Sequence, residues 1–465
     1  MKKLNRILAA HIFLSSFILM TNAALAEEEK KEGVDCCTAL AGGLDPVVVQ
    51  RLGKEKAIGF MRIPGTNSCV KISGNVKFTF VYDQHAAGNG PAYDYFMAQN
   101  ILRPGAKTEK GELRMHARES SLGMQTFIPI YLIDGTEINL GTYIDMDFFG
   151  SSQTEESLFT PLSLRAKNVY FTLGDLLIGQ TDSVFCGNDS HPETADFSGP
   201  TGFCGGRHPQ IRYTFKGKAT VWEVALENPE GEYINFDGET KFASRTHDGY
   251  FASDQCPDIT TAFRCDFSGG YVKARAMGRQ IHLTKTAGGN DISVYGWGAG
   301  LSSVYKYWGS SSVFLDATYG QGIGRYLGDA NGYAVYLDPQ NKAHTMAAFG
   351  GIVGFQQYWS ENWKWRSTVA FGLTQIIPHR DLVSHSYTVE DKDMRGATLK
   401  SETKYAEINK IIRSLQVNTF CNPLGPNVDM GAEYLRGERI LKVKSGPDKG
   451  VISRFIVTVN VKFGS

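Results

Sequence analysis

From Val70 to Asp83 the chain alternates between two kinds of residue. Val70, Ile72, Val76, Phe78, Phe80 and Tyr82 are apolar, with Gly74 among them, whereas Lys71, Ser73, Asn75, Lys77, Thr79, Val81 and Asp83 are almost wholly polar. Residues two apart share a face of a strand, so the pattern predicts one apolar face and one wet face. The same reading applies at the far end, where Phe455, Val457, Val459, Val461 and Phe463 alternate with Arg454, Ile456, Thr458, Asn460 and Lys462. Val428, Met430, Ala432 and Tyr434 alternate with Asp429, Gly431 and Glu433. Trp365, Val369, Phe371 and Leu373 alternate with Lys364, Arg366, Thr368 and Thr374, and Val272, Ala274 and Ala276 with Lys273 and Arg275. No repeat of roughly 20 to 50 residues, the mark of a solenoid or propeller, runs through the chain.

A soluble sandwich alternates too, so the environment must be decided by other features. The strand-like runs are about ten residues long, the length that crosses a bilayer when tilted. Aromatic clusters (Tyr305, Tyr307 and Trp308; Tyr358, Trp359, Trp363 and Trp365) fall at strand ends, where a membrane barrel carries its interfacial girdles. Connections differ in kind: Ser360-Glu361-Asn362 is short, while Thr181 to Arg207, Asn228 to Phe267 and Val383 to Lys404 are long and polar. A bilayer offers no partners to bare amides, so spanning strands must close on one another. The expected fold is all-β, a closed antiparallel transmembrane barrel.

Composition narrows the field further. With 465 residues, 42% of them hydrophobic and 12% aromatic, the chain is too apolar for a disordered protein, and 48 basic against 48 acidic residues leave no excess for nucleic-acid binding. Residues 1–26 read as an export signal: Lys2, Lys3 and Arg6, then an apolar stretch from Ile7 to Met20, then Ala24-Leu25-Ala26. Nothing after Ala26 approaches the ~18 apolar residues of a membrane helix. Residues 27–60 form a short periplasmic segment, charged at first, with Asp45 and Pro46 positioned to start a helix over Val47 to Leu52. Residues 61–465 remain for the barrel.

Several blocks, in order, resemble the DcaP-like family of trimeric outer-membrane porins. They include Ile63-Pro64-Gly65-Thr66, Ala117-Arg118-Glu119-Ser120-Ser121-Leu122-Gly123, Leu164-Arg165-Ala166-Lys167-Asn168-Val169-Tyr170 and Leu177-Ile178-Gly179-Gln180-Thr181. Pro192-Glu193-Thr194-Ala195-Asp196-Phe197-Ser198-Gly199-Pro200, Arg207-His208-Pro209-Gln210-Ile211-Arg212-Tyr213 and Gly322-Ile323-Gly324-Arg325-Tyr326-Leu327 follow. The resemblance implies a barrel of 16 antiparallel strands, a homotrimer, and passage of small anions, notably dicarboxylates. The partners so implied are outer-membrane lipid, small anionic solutes and the barrel-assembly machinery; no cofactor is expected. The sequence departs from the family at Ser121, where a second arginine is common, in a short segment before the barrel that contains Cys36-Cys37, and in Gly464-Ser465 following the last aromatic, Phe463.

A dianion crossing a polar lumen needs fixed cations, and the guanidinium fork suits carboxylates. Candidates for the anion path are Arg118, Arg165, Lys167, Arg207, Arg212, Lys273, Arg275 and Arg325; the plain alternative is wet wall residues or cations at strand ends. The Thr181 to Arg207 segment either folds inward and narrows the passage or caps the outside. In an oxidising compartment Cys186 with Cys204, and Cys256 with Cys265, are the candidate disulfides, with Cys36-Cys37 unassigned. Cys186, His191, Cys204 and His208 also offer two thiols and two imidazoles, at a spacing that fits no common zinc module. No G-x-S-x-G, H-E-x-x-H or P-loop occurs. The competing readings are a structural or adhesive barrel and a surface lipid hydrolase.

Overall fold

The structure is a computed structural model. It describes residues 59–464 apart from 65, 67, 86–93, 98–100, 102–109, 132, 134–136, 151–162, 236–239, 243–249, 286–289, 339, 361, 363, 380–385, 393–397, 406–407 and 444–445. The export signal, the helix expected after Asp45 and the Cys36-Cys37 pair lie outside the described residues.

The alternating runs become the strands of a closed antiparallel 16-strand barrel. The first eight are β1 (Cys69–His85), β2 in two parts (Lys110–His116 and Ser121–Tyr131), β3 (Glu137–Asp147), β4 (Arg165–Leu173), β5 (Leu176–Asp182), β6 (Arg207–Lys216), β7 (Thr220–Glu227) and β8 (Asp258–Phe267). The rest are β9 (Gly270–Lys285), β10 (Ile292–Trp308), β11 (Ser311–Gln321), β12 (Ala347–Ser360), β13 (Trp365–Ile377), β14 (Ile408–Cys421), β15 (Val428–Val443) and β16 (Gly446–Phe463). Each strand pairs with its neighbour in sequence, and β16 returns to β1 with Gly74 opposite Phe463 and Asp83 opposite Arg454. The interruption in β2 falls at residues 117–120, so its two parts pair with opposite halves of β1.

The connections alternate between short and long. Residues 174–175, 217–219, 268–269 and 309–310 make tight hairpins at one end. Gly174 (φ 59°) and Gly309 (φ 52°) occupy the left-handed region that such turns demand. At the other end lie the long excursions, among them 183–206, 228–257 and 322–346. In an outer-membrane barrel this is the outward side. Two segments read as loops contain strands. Asp258–Phe267, the end of the Asn228 to Phe267 segment, is β8, because Ile259, Thr261 and Phe263 alternate with Thr260, Ala262 and Arg264; Val383 to Lys404 holds most of a hairpin, Ser386–Lys392 against Thr398–Tyr405.

The two faces of the wall separate as the sequence pattern requires. Val353, Phe355, Val369, Phe371, Leu415 and Val417 are exposed, whereas Gln356, Thr368, Thr374, Ser414, Gln416 and Asn418 on the same strands are buried. Tyr305, Tyr307, Trp308, Trp359 and Trp365 gather toward the short turns, and Tyr295, Trp297 and Tyr319 toward the long loops. These are the two aromatic belts of a bilayer-spanning barrel. A packed core lies within the wall: Phe185, Cys186 and Cys204 of one long loop meet Ile323, Tyr326 and Leu327 of another against Met277 and Ala348.

Candidate functional site: a loop folded into the barrel

Residues 183–206 leave β5 and re-enter at β6, yet they pack against the inner face of strands on the far arc. The wall makes room with bare backbone. Inward-facing Gly298, Gly354 and Gly372 stand where Phe185, Pro192 and Thr201 seat. The backbones also come close at Gly202 (φ +85°), where an added Cβ would lie 2.5 Å from the carbonyl oxygens of Gly351 and Leu373. A loop this close must be fixed by specific bonds, because its buried amides have no water to bond.

Those bonds come from wall side chains. Arg366 on β13 grips the Glu193 carboxylate and also donates to Asp429 at 2.9 Å and Asn422 at 3.1 Å. Arg454 on β16 donates twice to Asp83 (2.7 and 2.8 Å) and once to Asp196 of the loop (3.0 Å). Glu433 on β15 accepts from the Ala195 amide at 2.7 Å, Ser414 from the Thr201 amide at 3.0 Å, and Glu227 from the Val184 amide at 2.9 Å. Asp329, from the 322–346 loop, accepts from the Gly202 amide at 3.1 Å, and burial holds its carboxyl above the ordinary range. The loop therefore lies inside the barrel, which decides between the inward and capping readings.

The candidate cations fall into three groups. Arg165, Lys167 and Arg212 line the arc formed by β4 and β6, paired with Asp147 (2.6 Å), Asp145 (3.1 Å) and Glu223 (3.4 Å). The Arg165 guanidinium also lies 5.4 Å from the ring centres of Phe149 and of Phe197 in the inserted loop, so the loop reaches across to it. In a second group the cations are held by fixed partners inside the protein, Arg275 and Lys273 by the loop itself. Arg275 donates to Asp316 (2.8 Å) and to the Phe185 carbonyl (3.1 Å), and Lys273 reaches Asp189 (3.7 Å). Arg118, buried, pairs with Asp94 at 3.0 Å, and Arg325 donates to His208 (2.7 Å) and to the Asn228 carbonyl (3.0 Å). The third group is Arg207 alone. It is exposed in the row of Pro209, Ile211 and Tyr213 and pairs with Asp182 at 3.1 Å, so it faces away from the passage. Its parity with Ile211 is the physical reason.

The cysteines divide as well. Cys186 and Cys204 lie with their sulfurs 3.5 Å apart, both buried and not bonded to each other in this structure. Cys256 and Cys265 do not form the expected local pair. Cys265 sits near the short-turn end of β8 and Cys256 precedes its other end, so the extended strand between them holds them about 25 Å apart. Among the described residues no set of three or more His, Cys, Asp or Glu side chains converges as a metal site, the quartet of Cys186, His191, Cys204 and His208 included.

The residues that pin the loop, Glu193, Asp196, Arg366, Glu433 and Arg454, were not among the candidates. Alternation places Arg366, Glu433 and Arg454 on the wet face, but their loop partners are 173, 238 and 258 residues away, a pairing that no local pattern encodes.

Comparison with known proteins agrees with this architecture. The family model of the DcaP outer membrane protein matches residues 62–455. The chain belongs to that family. Its members' fold is seen in the outer membrane channel DcaP of Acinetobacter baumannii, which is 23% identical with a TM-score of 0.67, the match covering 87% of this chain and 99% of that one. OmpT of Vibrio cholerae (8% identity, TM-score 0.47, 87% and 100% covered) and an anion-selective porin from Comamonas acidovorans (10%, 0.47, 85% and 100%) are more distant in structure. No curated protein matches the sequence. As a DcaP family barrel, this chain is an outer-membrane porin.

Proposed function

We propose that this DcaP family porin, exported through its N-terminal signal and assembled as a homotrimer, lets small hydrophilic solutes diffuse passively with a preference for small anions, dicarboxylates among them. The observation that carries this reading is the pair Arg165–Asp147: the arginine side chain is 35% exposed and its carboxylate partner 1%. Both cation and acid are fixed, but the cation is the one turned toward the passage. The same order holds at Lys77–Glu119, and more narrowly at Lys167–Asp145 and Arg212–Glu223. In the inserted loop the order is reversed, Glu193 being 31% exposed against 7% for Arg366 and Asp189 36% against 12% for Lys273, but each of these acids is held by cations. Glu193 and Asp196 are bound to Arg366 and Arg454, and Asp189 to Arg264 and Lys273, which reduces their repulsion of an anion. At the short-turn end a recess of about 340 Å³ is lined by Lys71, Lys462, Gln125 and Tyr143, an exit of the same sign.

Because Arg165, Lys167, Arg212 and Lys77 each have an acid beside them, the preference is modest, and a solute is held weakly enough to leave. No bond is made or broken in such a passage. The test is reversal potential across a salt gradient in planar bilayers. Wild-type channels should favour anions, and joint Arg165→Gln and Asp147→Asn replacement, which avoids leaving a buried carboxylate alone, should shift the potential toward zero. A cation-selective wild-type channel would refute the preference. A silent bilayer would favour the structural barrel, and esterase activity the hydrolase.

A further inference from the structure

The inserted loop has two feet, and a cysteine stands on each. Ser183 donates its amide to the Gly206 carbonyl at 2.9 Å, which makes the outermost rung. One step further in, the Cys186 and Cys204 sulfurs face each other at 3.5 Å, and Cys204 also contacts the Phe185 carbonyl. Both side chains are buried, against Phe185, Met277, Tyr326 and Leu327. Arg275 holds the same foot through the Phe185 carbonyl. The residues between them, 187–203, contain Asp189, Glu193 and Asp196, the acids by which the loop is tied to the wall.

We propose that Cys186 and Cys204 are joined in the mature protein by a disulfide that closes the base of the inserted loop. The bond requires the sulfurs to move from 3.5 Å to about 2.0 Å, which side-chain rotation supplies. In the reaction each thiol loses its proton, the sulfurs lose two electrons between them, and an incoming disulfide of a thiol oxidant takes them up to become two thiols. The oxidant acts while the chain is still open in the compartment outside the cytoplasm. Once the barrel is formed the pair is sealed, and burial pushes the Cys186 thiol well above its ordinary range, so the folded site neither reacts readily nor exchanges. This makes the cross-link a permanent part of the channel and not a switch. Its role is to keep the two feet together so that the three acid ties act on a closed ring instead of a free strand.

Protein taken from the envelope, denatured without reductant and treated with a thiol-alkylating reagent, should yield a linked Cys186–Cys204 peptide after proteolysis. Both residues should alkylate only after reduction. Full alkylation of both without reductant, or linkage of either to a different cysteine, overturns the proposal. A second measurement uses Cys186→Ser with Cys204→Ser, which retains two small polar groups. Amides of 187–203 should exchange roughly tenfold faster or more, the factor that ~1.4 kcal/mol of loop opening produces. Exchange in the double variant equal to that of the wild type would show that no covalent tie had been lost.

Discussion

Arg366 and Glu193 meet at the channel wall although 173 residues separate them in the chain, and Asp429 shares the same guanidinium at 2.9 Å. One arginine thus joins three pieces of backbone, β13, β15 and the loop that narrows the lumen. Replacing Arg366 by alanine leaves the buried Asp429 carboxylate without its strongest partner, a loss of about 3 kcal/mol. The variant should melt earlier than wild type by circular dichroism in detergent, and its single-channel current should be larger and noisier as the loop lifts. Quiet wild-type currents in the variant would mean that the remaining ties suffice.

Gly202 sets the distance between loop and wall. An alanine there is forced into a left-handed backbone conformation and pushes its Cβ onto two wall carbonyls, at a cost of about 1–3 kcal/mol. Conductance of Gly202→Ala should differ from wild type, because the loop can relieve the contact only by moving: a lowered mean current reports a loop pushed toward the lumen axis, a raised one a loop displaced out of the barrel, and an unchanged one would contradict the close contact. Asp329, which accepts from the Gly202 amide, loses that bond at the same time.

Acid should loosen the same loop. His191 packs its ring on Phe203 at 4.6 Å, and burial holds its imidazole down to about 4 from an ordinary 6.5. Asp316, Asp189 and Asp182 favour its proton and Arg275 opposes it, but burial is the largest effect. The closed form therefore binds the proton less readily than the released loop. Closure is fully favoured above pH 6.5 and loses on the order of 3 kcal/mol as the pH falls to about 4. Current fluctuations recorded across this range should grow on acidification, and His191→Gln should flatten the dependence.

The two cysteines toward opposite ends of β8 report the orientation of the wall. Cys265 is exposed in the outward row with Phe263, whereas Cys256 is exposed on the long-loop side before the strand begins. A membrane-impermeant thiol reagent added to whole cells should label Cys256. A lipid-partitioning reagent should reach Cys265. Equal labelling of Cys265 by the impermeant reagent would contradict its placement against the bilayer.

The wall was legible in the sequence because a strand's environment repeats every two residues. The Val70 to Asp83 and Arg454 to Phe463 runs announce their own inner and outer faces, and these become the two strands of the closing seam. Arg207 carried the same information: it shares parity with Ile211 and Tyr213, and following that parity would have placed it outside. Strand β8 was missed for a related reason, since Ile259, Thr261 and Phe263 alternate within a segment otherwise rich in polar residues. The inserted loop was legible only as a length. Its direction depends on Glu193 and Asp196 finding Arg366 and Arg454, and on small inward residues such as Gly354 leaving space. Those pairings join distant stretches of chain and have no local signature.

Arg454 ties the first strand to the last through Asp83 and, with the same guanidinium, holds Asp196. The final stitch of the cylinder is thus also a clasp on its bottleneck. Without the inserted loop Arg454 would keep Asp83 but lose Asp196, and with the seam open the loop would lose one of its anchors. The enclosure of the cylinder and the width of its aperture are therefore linked through a single side chain.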